Sequence, residues 1–192
     1  FVNLQVSYQL HPDHIHAVSE VIVSGVEKSY SYDSNGNMTV GPDLTDPTHP
    51  TDRSVYYNTD NMPYEIRNSD RKITTFAYGG DNKRVFKQSP GGKKTLYIDD
   101  NYEVIDGVAH KYIFAGNLRV AMLKGSETYY FHKDHLASSS VITKQDSSDT
   151  VLSQYLPYGR QRGTSDISAI DYKFTDQEID RSTGLYNYDA RL

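Results

Sequence analysis

A short unit of aromatic residues followed by turn-forming residues recurs along the chain, and it limits the possible folds more than any single residue does. The clearest copy is YSYDSNGNMT at residues 30–39. Tyr30 and Tyr32 lie on one face of a strand at period two, and Asn35 and Gly36 can occupy the two positive-φ positions of a primed hairpin turn. The unit therefore predicts a β-hairpin with antiparallel strands.

Weaker copies of the unit follow at residues 56–63, 76–85, 96–104 and 129–136. Their spacing of roughly 20 residues is the scale of repeat architectures. The chain has 17 tyrosines and no tryptophan, so tyrosine-rich faces are expected to supply much of the buried surface. Because short turns separate consecutive strands, antiparallel neighbours are favoured over parallel crossovers. The sequence predicts an all-β fold of consecutive antiparallel β-hairpins that form a curved or spiral sheet.

Two stretches depart from the strand pattern. Residues 41–53 contain three prolines and three aspartates without periodicity, which predicts a surface loop inserted between hairpins. Residues 175–182 carry a weak helical signal, because Thr175 and Glu178 have the spacing of a capping box. Gly184 would end such a helix within two turns.

The bulk composition excludes several classes of function. The net charge is −5, and lysines and arginines are spread along the chain, which argues against nucleic acid as a partner. No apolar run approaches the ~18 residues of a membrane span, and no signal peptide is visible at the N-terminus. The absence of cysteine excludes disulfides and thiolate metal ligands.

One cluster of metal-capable side chains lies near the N-terminus, where His11, Asp13, His14 and His16 fall within six residues. Imidazoles and a carboxylate can bind a divalent ion, but such sites usually include a distant ligand and a fixed second shell. Neither is evident in the sequence. A solvated loop is therefore the favoured interpretation, and no metal or cofactor is predicted.

A second cluster combines His132, Asp134 and His135 in a way that could orient an imidazole for acid–base chemistry. The same residues suit a turn held by hydrogen bonds from side chain to backbone. The structural interpretation is favoured, and no catalytic residue is predicted. A hydrolase centred on the histidines stays as an alternative.

Two parts of the sequence resemble a known family. The run at residues 30–39 resembles the YD repeat of bacterial RHS proteins, and the stretches 129–138, 155–159 and 172–191 resemble, in order, blocks of the RHS repeat-associated core region. The residues that match the two motifs are Tyr30, Tyr32, Asp33, Gly36, His132, Asp134, His135, Leu136, Pro157, Tyr158, Gly159, Phe174, Gln177, Glu178, Asp180, Gly184, Leu185, Tyr186, Tyr188 and Arg191.

The resemblance implies a scaffold and not an enzyme. RHS proteins wind β-hairpins into a hollow shell that encloses a toxic C-terminal segment until delivery, so residues 1–128 are interpreted as YD-repeat hairpins and 129–192 as the core region, ending before the self-cleavage motif. The implied partners are the remainder of the shell, the toxin segment, and toxin-complex or secretion-apparatus proteins, with edge-to-edge oligomers also expected. The implied location is extracellular, after export from a bacterium by a dedicated system.

Two points remain open at this stage. Exposed aromatic rings on a sheet also suit a carbohydrate-binding or cell-surface adhesion module, which is the alternative function. In addition, Ala137, Asp176 and Asp189 occupy positions where the family has glycine. Aspartate tolerates a left-handed backbone, whereas alanine at positive φ would add strain of about 1 kcal/mol.

Overall fold

The computed structural model describes residues 6–12, 16–23, 25–46, 48–146, 150–162 and 170–188. Within these ranges the chain consists of β-strands joined by turns, with three isolated 3₁₀ turns. No helix in the described part is long and apolar enough to cross a membrane. The predicted all-β class is confirmed.

Every strand pairs antiparallel. The strands are β1 (Val6–Leu10), β2 (Val18–Val23), β3 (Val26–Ser29), β4 (Ser31–Tyr32), β5 (Met38–Asp43), β6 (Thr51–Tyr57), β7 (Pro63–Asn68), β8 (Ile73–Tyr78), β9 (Arg84–Gln88), β10 (Lys94–Asp99), β11 (Tyr102–Ile105), β12 (Val108–Ala115), β13 (Leu118–Lys124), β14 (Glu127–Lys133), β15 (Ser139–Lys144), β16 (Thr150–Leu152), β17 (Gln154–Tyr155), β18 (Gln161–Arg162), β19 (Glu178–Asp180) and β20 (Leu185–Asn187).

One sheet of 13 strands dominates the molecule and runs from β4 to β16 in chain order. Each strand lies beside its sequence neighbours, as expected for a meander built from short turns. The strands β1 to β3 form a separate small sheet, and β17–β18 and β19–β20 are two-stranded ribbons. The predicted succession of antiparallel hairpins is therefore observed, and the large sheet is open, not closed into a barrel.

Bulges occur at one rim of this sheet and not at the other. The register shifts in the pairs β4–β5, β6–β7, β8–β9, β10–β11, β12–β13 and β14–β15, whereas the alternate pairs from β5–β6 to β15–β16 are regular. A bulge bends its strand and increases the local twist. A rim with a bulge in every hairpin therefore curves the sheet, and we call it the bulged rim.

The same five-residue turn recurs on both rims. In each copy the first residue and the fifth share a backbone hydrogen bond, and the fourth donates to the first, as at Asp33, Gly36 and Asn37. The copies on the two rims are 33–37, 58–62, 68–72, 79–83, 89–93 and 134–138, and a further copy, 156–160, joins β17 to β18. The fourth residue has positive φ, 83° at Gly36, but Asn35 does not. The turn is thus the longer loop with one left-handed residue, and the predicted two-residue primed turn was wrong.

The predicted loop at 41–53 is shorter than expected. Gly41, Pro42 and Asp43 belong to β5, and β6 begins at Thr51, so the loop covers only 44–50. Arg53 stabilises this pairing, because its Nε donates to the Pro42 carbonyl at 3.0 Å and its Nη2 to the Asp43 carboxylate at 3.0 Å. Tertiary contacts thus override the weak strand propensity of these residues.

The weak helical signal near the C-terminus was also wrong. Thr175 has φ 51° and Asp176 has φ 60°, which are left-handed values that an α-helix does not allow. A single 3₁₀ turn covers Phe174–Asp176, and strand β19 follows directly. The strand is held by pairing with β20 and by contacts with the large sheet.

Two hydrophobic clusters lie on one face of the large sheet, which we call the covered face. The first contains Tyr112, Met122, Tyr129, Phe131, Ile142 and Ile170, with Phe114 and Tyr172 beside it. The second contains Val55, Ile66 and Phe76, with Leu185 packed against it. Ile170, Tyr172 and Leu185 come from the end of the chain, so residues 170–188 cover this face. The opposite, open face exposes side chains such as Tyr56 and Tyr130.

Candidate functional site

Residues 170–188, the C-terminal segment, cross the covered face from one part of the sheet to another. Arg53 on β6 donates from Nη1 to the Thr183 carbonyl at 2.7 Å. At the other side of the sheet, the Ser139 amide at the start of β15 donates to the Lys173 carbonyl at 2.9 Å. Between them, the Thr74 hydroxyl lies 2.8 Å from the Ser182 hydroxyl. The segment therefore ties together hairpins that are distant in sequence.

A charged cluster lies under the middle of the C-terminal segment and consists of Arg84, Lys87, Tyr97, Glu178 and Asp180. Arg84 Nη1 lies 3.1 Å from Asp180 Oδ2, and Lys87 Nζ lies 2.8 Å from Asp180 Oδ1. Lys87 also pairs with Glu178, which accepts a hydrogen bond of 2.7 Å from the Tyr97 hydroxyl. The side chains of Arg84 and Asp180 are 3% and 0% exposed, so these charges are buried.

The bulge in the pair β8–β9 brings the two cations of this cluster to one face. Residues three positions apart in a regular strand point to opposite faces. The register shift between Ala77 and Tyr78 adds one residue to β9, so that Arg84 pairs with Tyr78 and Lys87 with Phe76. Burial lowers the pKa of Lys87, but the neighbouring carboxylates outweigh it and raise the pKa above the ordinary value. Lys87 is therefore charged at any physiological pH.

A second buried group lies beside this cluster and is centred on Arg119. Its guanidinium carbon lies 3.4 Å from the centre of the Tyr172 ring and 4.2 Å from that of Tyr112. Arg119 Nε lies 3.3 Å from Asp176 Oδ1, and Lys133 Nζ lies 2.6 Å from the same atom. The left-handed backbone of Asp176 thus places a carboxylate between two cations of the sheet.

Glu103 is a further buried carboxylate on the covered face. It is 3% exposed, accepts a hydrogen bond from the Tyr112 hydroxyl at Oε1, and has no hydrogen-bond partner at Oε2 in the described part of the chain. Burial and then the negative charge of Glu178 raise the pKa of Glu103 to about 7. Its charge therefore changes near neutral pH.

The predicted tyrosines have a specific role in joining repeats. Tyr57 directly precedes the turn 58–62, and its hydroxyl donates to the carbonyl of Met38, the residue that follows the previous turn on that rim. Tyr78 repeats this contact one hairpin later, to Pro63, at 2.8 Å. Tyr155 does the same to Ser139 at 3.0 Å, and Tyr32 donates to Val18 at 2.8 Å. Burial raises the pKa of Tyr57 to about 12. The Tyr57 hydroxyl therefore stays protonated, and in these four hairpins the tyrosine hydroxyl fastens the hairpin to the residues before it.

The predicted motif residues of the first hairpin lie in and beside the turn 33–37. Tyr30 and Tyr32 stack with ring centres 6.5 Å apart. The Asp33 carboxylate accepts hydrogen bonds from the backbone amides of Asn35 and Asn37, and Gly36 supplies the positive φ. These contacts stabilise the turn.

The structure places Asp134, His135 and Leu136 in the turn 134–138 and His132 near the end of β14. The Asp134 carboxylate accepts hydrogen bonds from the amides of Leu136 and Ser138, at 2.8 and 2.9 Å. The carboxylate is thus occupied by the turn, while His132 and His135 are exposed. Ala137 has φ 64°, which is the strained conformation expected from the sequence.

The remaining motif residues belong to the C-terminal segment and to the turn beneath it. Gly159 follows Pro157 and Tyr158 and packs so closely on Phe174 and Tyr186 that an added Cβ would lie 2.8 Å from either ring. Gln177 follows the 3₁₀ turn, and Glu178 and Asp180 bind the buried cations. Gly184 has a φ of 70°, and Leu185 packs against the second hydrophobic cluster. The Tyr188 hydroxyl lies 2.8 Å from the Thr175 hydroxyl. Arg191 and Asp189 lie outside the described residues.

The described residues contain no group of three or more histidines, cysteines or carboxylates that could hold a metal ion. Asp13 and His14, half of the predicted cluster near the N-terminus, lie outside these residues. The sequence also gave no indication of Lys87, Arg119 and Glu103. Their burial depends on bulges and on the distant C-terminal segment, and neither is visible in a local pattern.

Solved structures of known proteins share the fold described above. No family model matches the chain. The chain is 34% identical over 76 residues to salivary gland surface protein 1 of Aedes aegypti, a match that covers 38% of this chain and 2% of that protein. It superposes on the crystal structure of TcdB2–TccC3–Cdc42 with a TM-score of 0.60 and 12% identity, over 98% of this chain and 15% of that one. A mutant Tc holotoxin pore of Photorhabdus luminescens gives a TM-score of 0.52 and 13% identity, again over 98% of this chain and 15% of that one.

Proposed function

We propose that this chain, whose fold is that of an RHS-type shell segment, forms part of the wall of a hollow shell that encloses a toxic C-terminal segment of its polypeptide until delivery. The proposal assigns no catalytic role to the chain. Its partners are the remainder of the shell and the enclosed segment, together with toxin-complex or secretion-apparatus proteins. The assembly acts outside the bacterial cell that exports it.

The observation that supports this proposal most is the uninterrupted meander with open edges. In the described part of the chain, β4 and β16 each pair on one side only. An exposed strand edge offers unpaired amide and carbonyl groups, which bind further strands. A wall is built from such edges, because each added hairpin continues the sheet. Edge-to-edge association of isolated copies follows from the same geometry and is measurable by sedimentation velocity.

Limited proteolysis of the full-length gene product tests enclosure. With an intact wall, the polypeptide downstream of residue 192 is expected to resist protease. Thr75→Pro in the interior strand β8 removes a ladder hydrogen bond and should open the wall and expose that polypeptide to cleavage. Ser34→Pro lies at the second turn position, where proline is favoured, and serves as the matched control. Equal cleavage of the downstream polypeptide in the unmodified and Thr75→Pro proteins would contradict the proposal.

A second candidate, a carbohydrate-binding or cell-surface adhesion module, is favoured by one patch on the open face. Tyr56 and Tyr64 are 38% and 44% exposed with ring centres 6.4 Å apart. Arg67 lies 4.9 Å from the Tyr56 ring centre and is paired with Glu65. Rings and charged groups so placed can stack on a sugar and hydrogen-bond its hydroxyls. Binding on a glycan array that is lost on Tyr56→Ala and kept on Tyr130→Ala would support this function.

A further inference from the structure

Tyr158 has a backbone conformation that suits glycine and not tyrosine. It is the third residue of the turn 156–160, with φ 70° and ψ 18°. The turn 89–93 has the same form, with Pro90 in second place and Gly91 in third, and Gly91 has φ 83° and ψ 0°. These are the angles of the third residue of a type II turn, where the positive φ favours glycine. A bulky side chain at such angles is strained.

The described part of the chain offers no contact that compensates for this strain. The Tyr158 residue is 96% exposed, so its ring packs against almost nothing. Its backbone is nevertheless held in place, because Gly159 packs closely on Phe174 and Tyr186 and accepts a hydrogen bond of 2.9 Å from the Tyr186 hydroxyl. Strained residues persist mainly where the strain serves a function. We therefore expect the ring to contact a group outside the chain.

The surface around Tyr158 is apolar and basic. Leu156, two residues earlier, is 40% exposed, and Leu136, the third residue of the preceding turn 134–138, is 51% exposed. Arg160 ends the turn of Tyr158 and is exposed. Tyrosine is enriched among the residues that anchor protein interfaces, and a ring held rigidly suits a pocket of fixed shape. The adjacent cation favours a pocket with carboxylates at its mouth.

A pocket of this chemistry is present in the chain itself, and we call it the rim cavity. It has a volume of about 650 Å³ and lies between the turns of the bulged rim and residues 172–178. Its walls include the apolar side chains of Val85, Ile98 and Phe114. Carboxylates outnumber cations among its lining residues, with Asp81, Asp99, Asp100, Asp176 and Glu178 against Lys83, Arg84 and Arg119. The rim cavity therefore combines apolar walls with an excess of negative charge.

We propose that Tyr158 of one copy of this chain enters the rim cavity of a second copy, where Arg160 meets the exposed carboxylates Asp99 and Asp100. Contact between the two tyrosine surfaces is disfavoured, because it would bring Arg160 of one copy towards Arg160 of the other. Contact with the rim cavity brings opposite charges together, which favours encounter and correct orientation. The inference does not depend on the proposed shell function, because it requires only the turn 156–160 and the cavity.

Sedimentation velocity over a concentration series tests this contact. The unmodified protein should associate, and Tyr158→Gly should weaken the association at least about tenfold. The urea unfolding midpoint of Tyr158→Gly should equal or exceed that of the unmodified protein, because glycine adopts positive φ without strain. Asp99→Arg places a bulky cation at the mouth of the rim cavity and should weaken association to a similar degree. Tyr130→Ala removes an exposed tyrosine from the open face and should leave association unchanged.

A mixture of the two variants identifies the contact. Tyr158→Gly keeps the cavity and Asp99→Arg keeps the tyrosine, so the mixture should associate at least about tenfold more tightly than either variant alone. Strand edges are the same in both variants, so edge-to-edge association would be equal in each variant and in the mixture. Unmodified protein that stays monomeric, association that Tyr158→Gly leaves unchanged, or a mixture no tighter than its components would overturn the proposal.

Discussion

Replacing Asp180 with asparagine tests the charged cluster most directly. The Asp180 carboxylate is fully buried and accepts hydrogen bonds from Arg84 Nη1 at 3.1 Å and Lys87 Nζ at 2.8 Å. Asparagine keeps the shape and removes the charge, so two buried cations are left with Glu178 as their nearest carboxylate. The side-chain amide nitrogen of the asparagine is a hydrogen-bond donor, and it would face the donor groups of Arg84 or Lys87.

The expected loss follows from the burial of all three partners. Removing one member of a buried ion pair typically costs about 3–5 kcal/mol, because the other member is left desolvated and uncompensated. Asp100→Asn is the matched control, because Asp100 pairs with Lys83 where both side chains are more than half exposed. An exposed pair contributes about 0–1 kcal/mol. The difference between the two variants should thus be at least about 2 kcal/mol.

Urea denaturation followed by circular dichroism measures this difference. We expect a clear fall of the unfolding midpoint for Asp180→Asn and almost none for Asp100→Asn. Adding Lys87→Met to Asp180→Asn removes one stranded cation, so the double variant should recover part of the loss. If Asp180→Asn is as stable as Asp100→Asn, the cluster is not the buried ionic contact described here.

Three further predictions concern single contacts, each measured by urea unfolding. Tyr78→Phe removes the donor to the Pro63 carbonyl and should cost about 1 kcal/mol without changing the fold. Ala137→Gly relieves a φ of 64° and should stabilise the protein by about 1 kcal/mol, whereas Ala121→Gly, inside β13 where φ is not positive, should destabilise it. Because the pKa of Glu103 is raised from 4.5 to about 7, folding takes up a proton between these values. The free energy of unfolding should therefore decrease as pH rises through this window, by at most about 1.4 kcal/mol per pH unit. The Glu103→Gln variant should lack this pH dependence. If the pH dependence survives in Glu103→Gln, another group causes it.

The succession of hairpins could be predicted from the sequence because its signals are local. Alternating aromatic residues mark strands, and glycine, asparagine and aspartate mark turns, as at Asp33 and Gly36. The strain at Ala137 was predicted for the same reason, since one position decides its backbone angle. The boundaries near Pro42 were missed, because Arg53 holds this proline in a strand that its own propensity does not favour.

The charged cluster could not be predicted in this way. A regular strand would place Lys87 and Arg84 on opposite faces, and a lysine is normally expected in solvent. Their common burial depends on a bulge and on Glu178 and Asp180, which lie about 90 residues further along the chain. A pattern in a short window contains neither piece of information.

The tyrosine contact between successive hairpins affects how such a chain can change its length during evolution. In the hairpins that have this contact, the tyrosine belongs to the unit itself and the acceptor is a main-chain oxygen of the preceding unit, which any amino acid provides. A duplicated unit in the gene would therefore be joined at both ends without a compensating substitution. The C-terminal segment sets the limit, because its fixed anchors at Arg53 and Ser139 allow only one number of units between them. Insertions and deletions of whole units should therefore accumulate outside that interval.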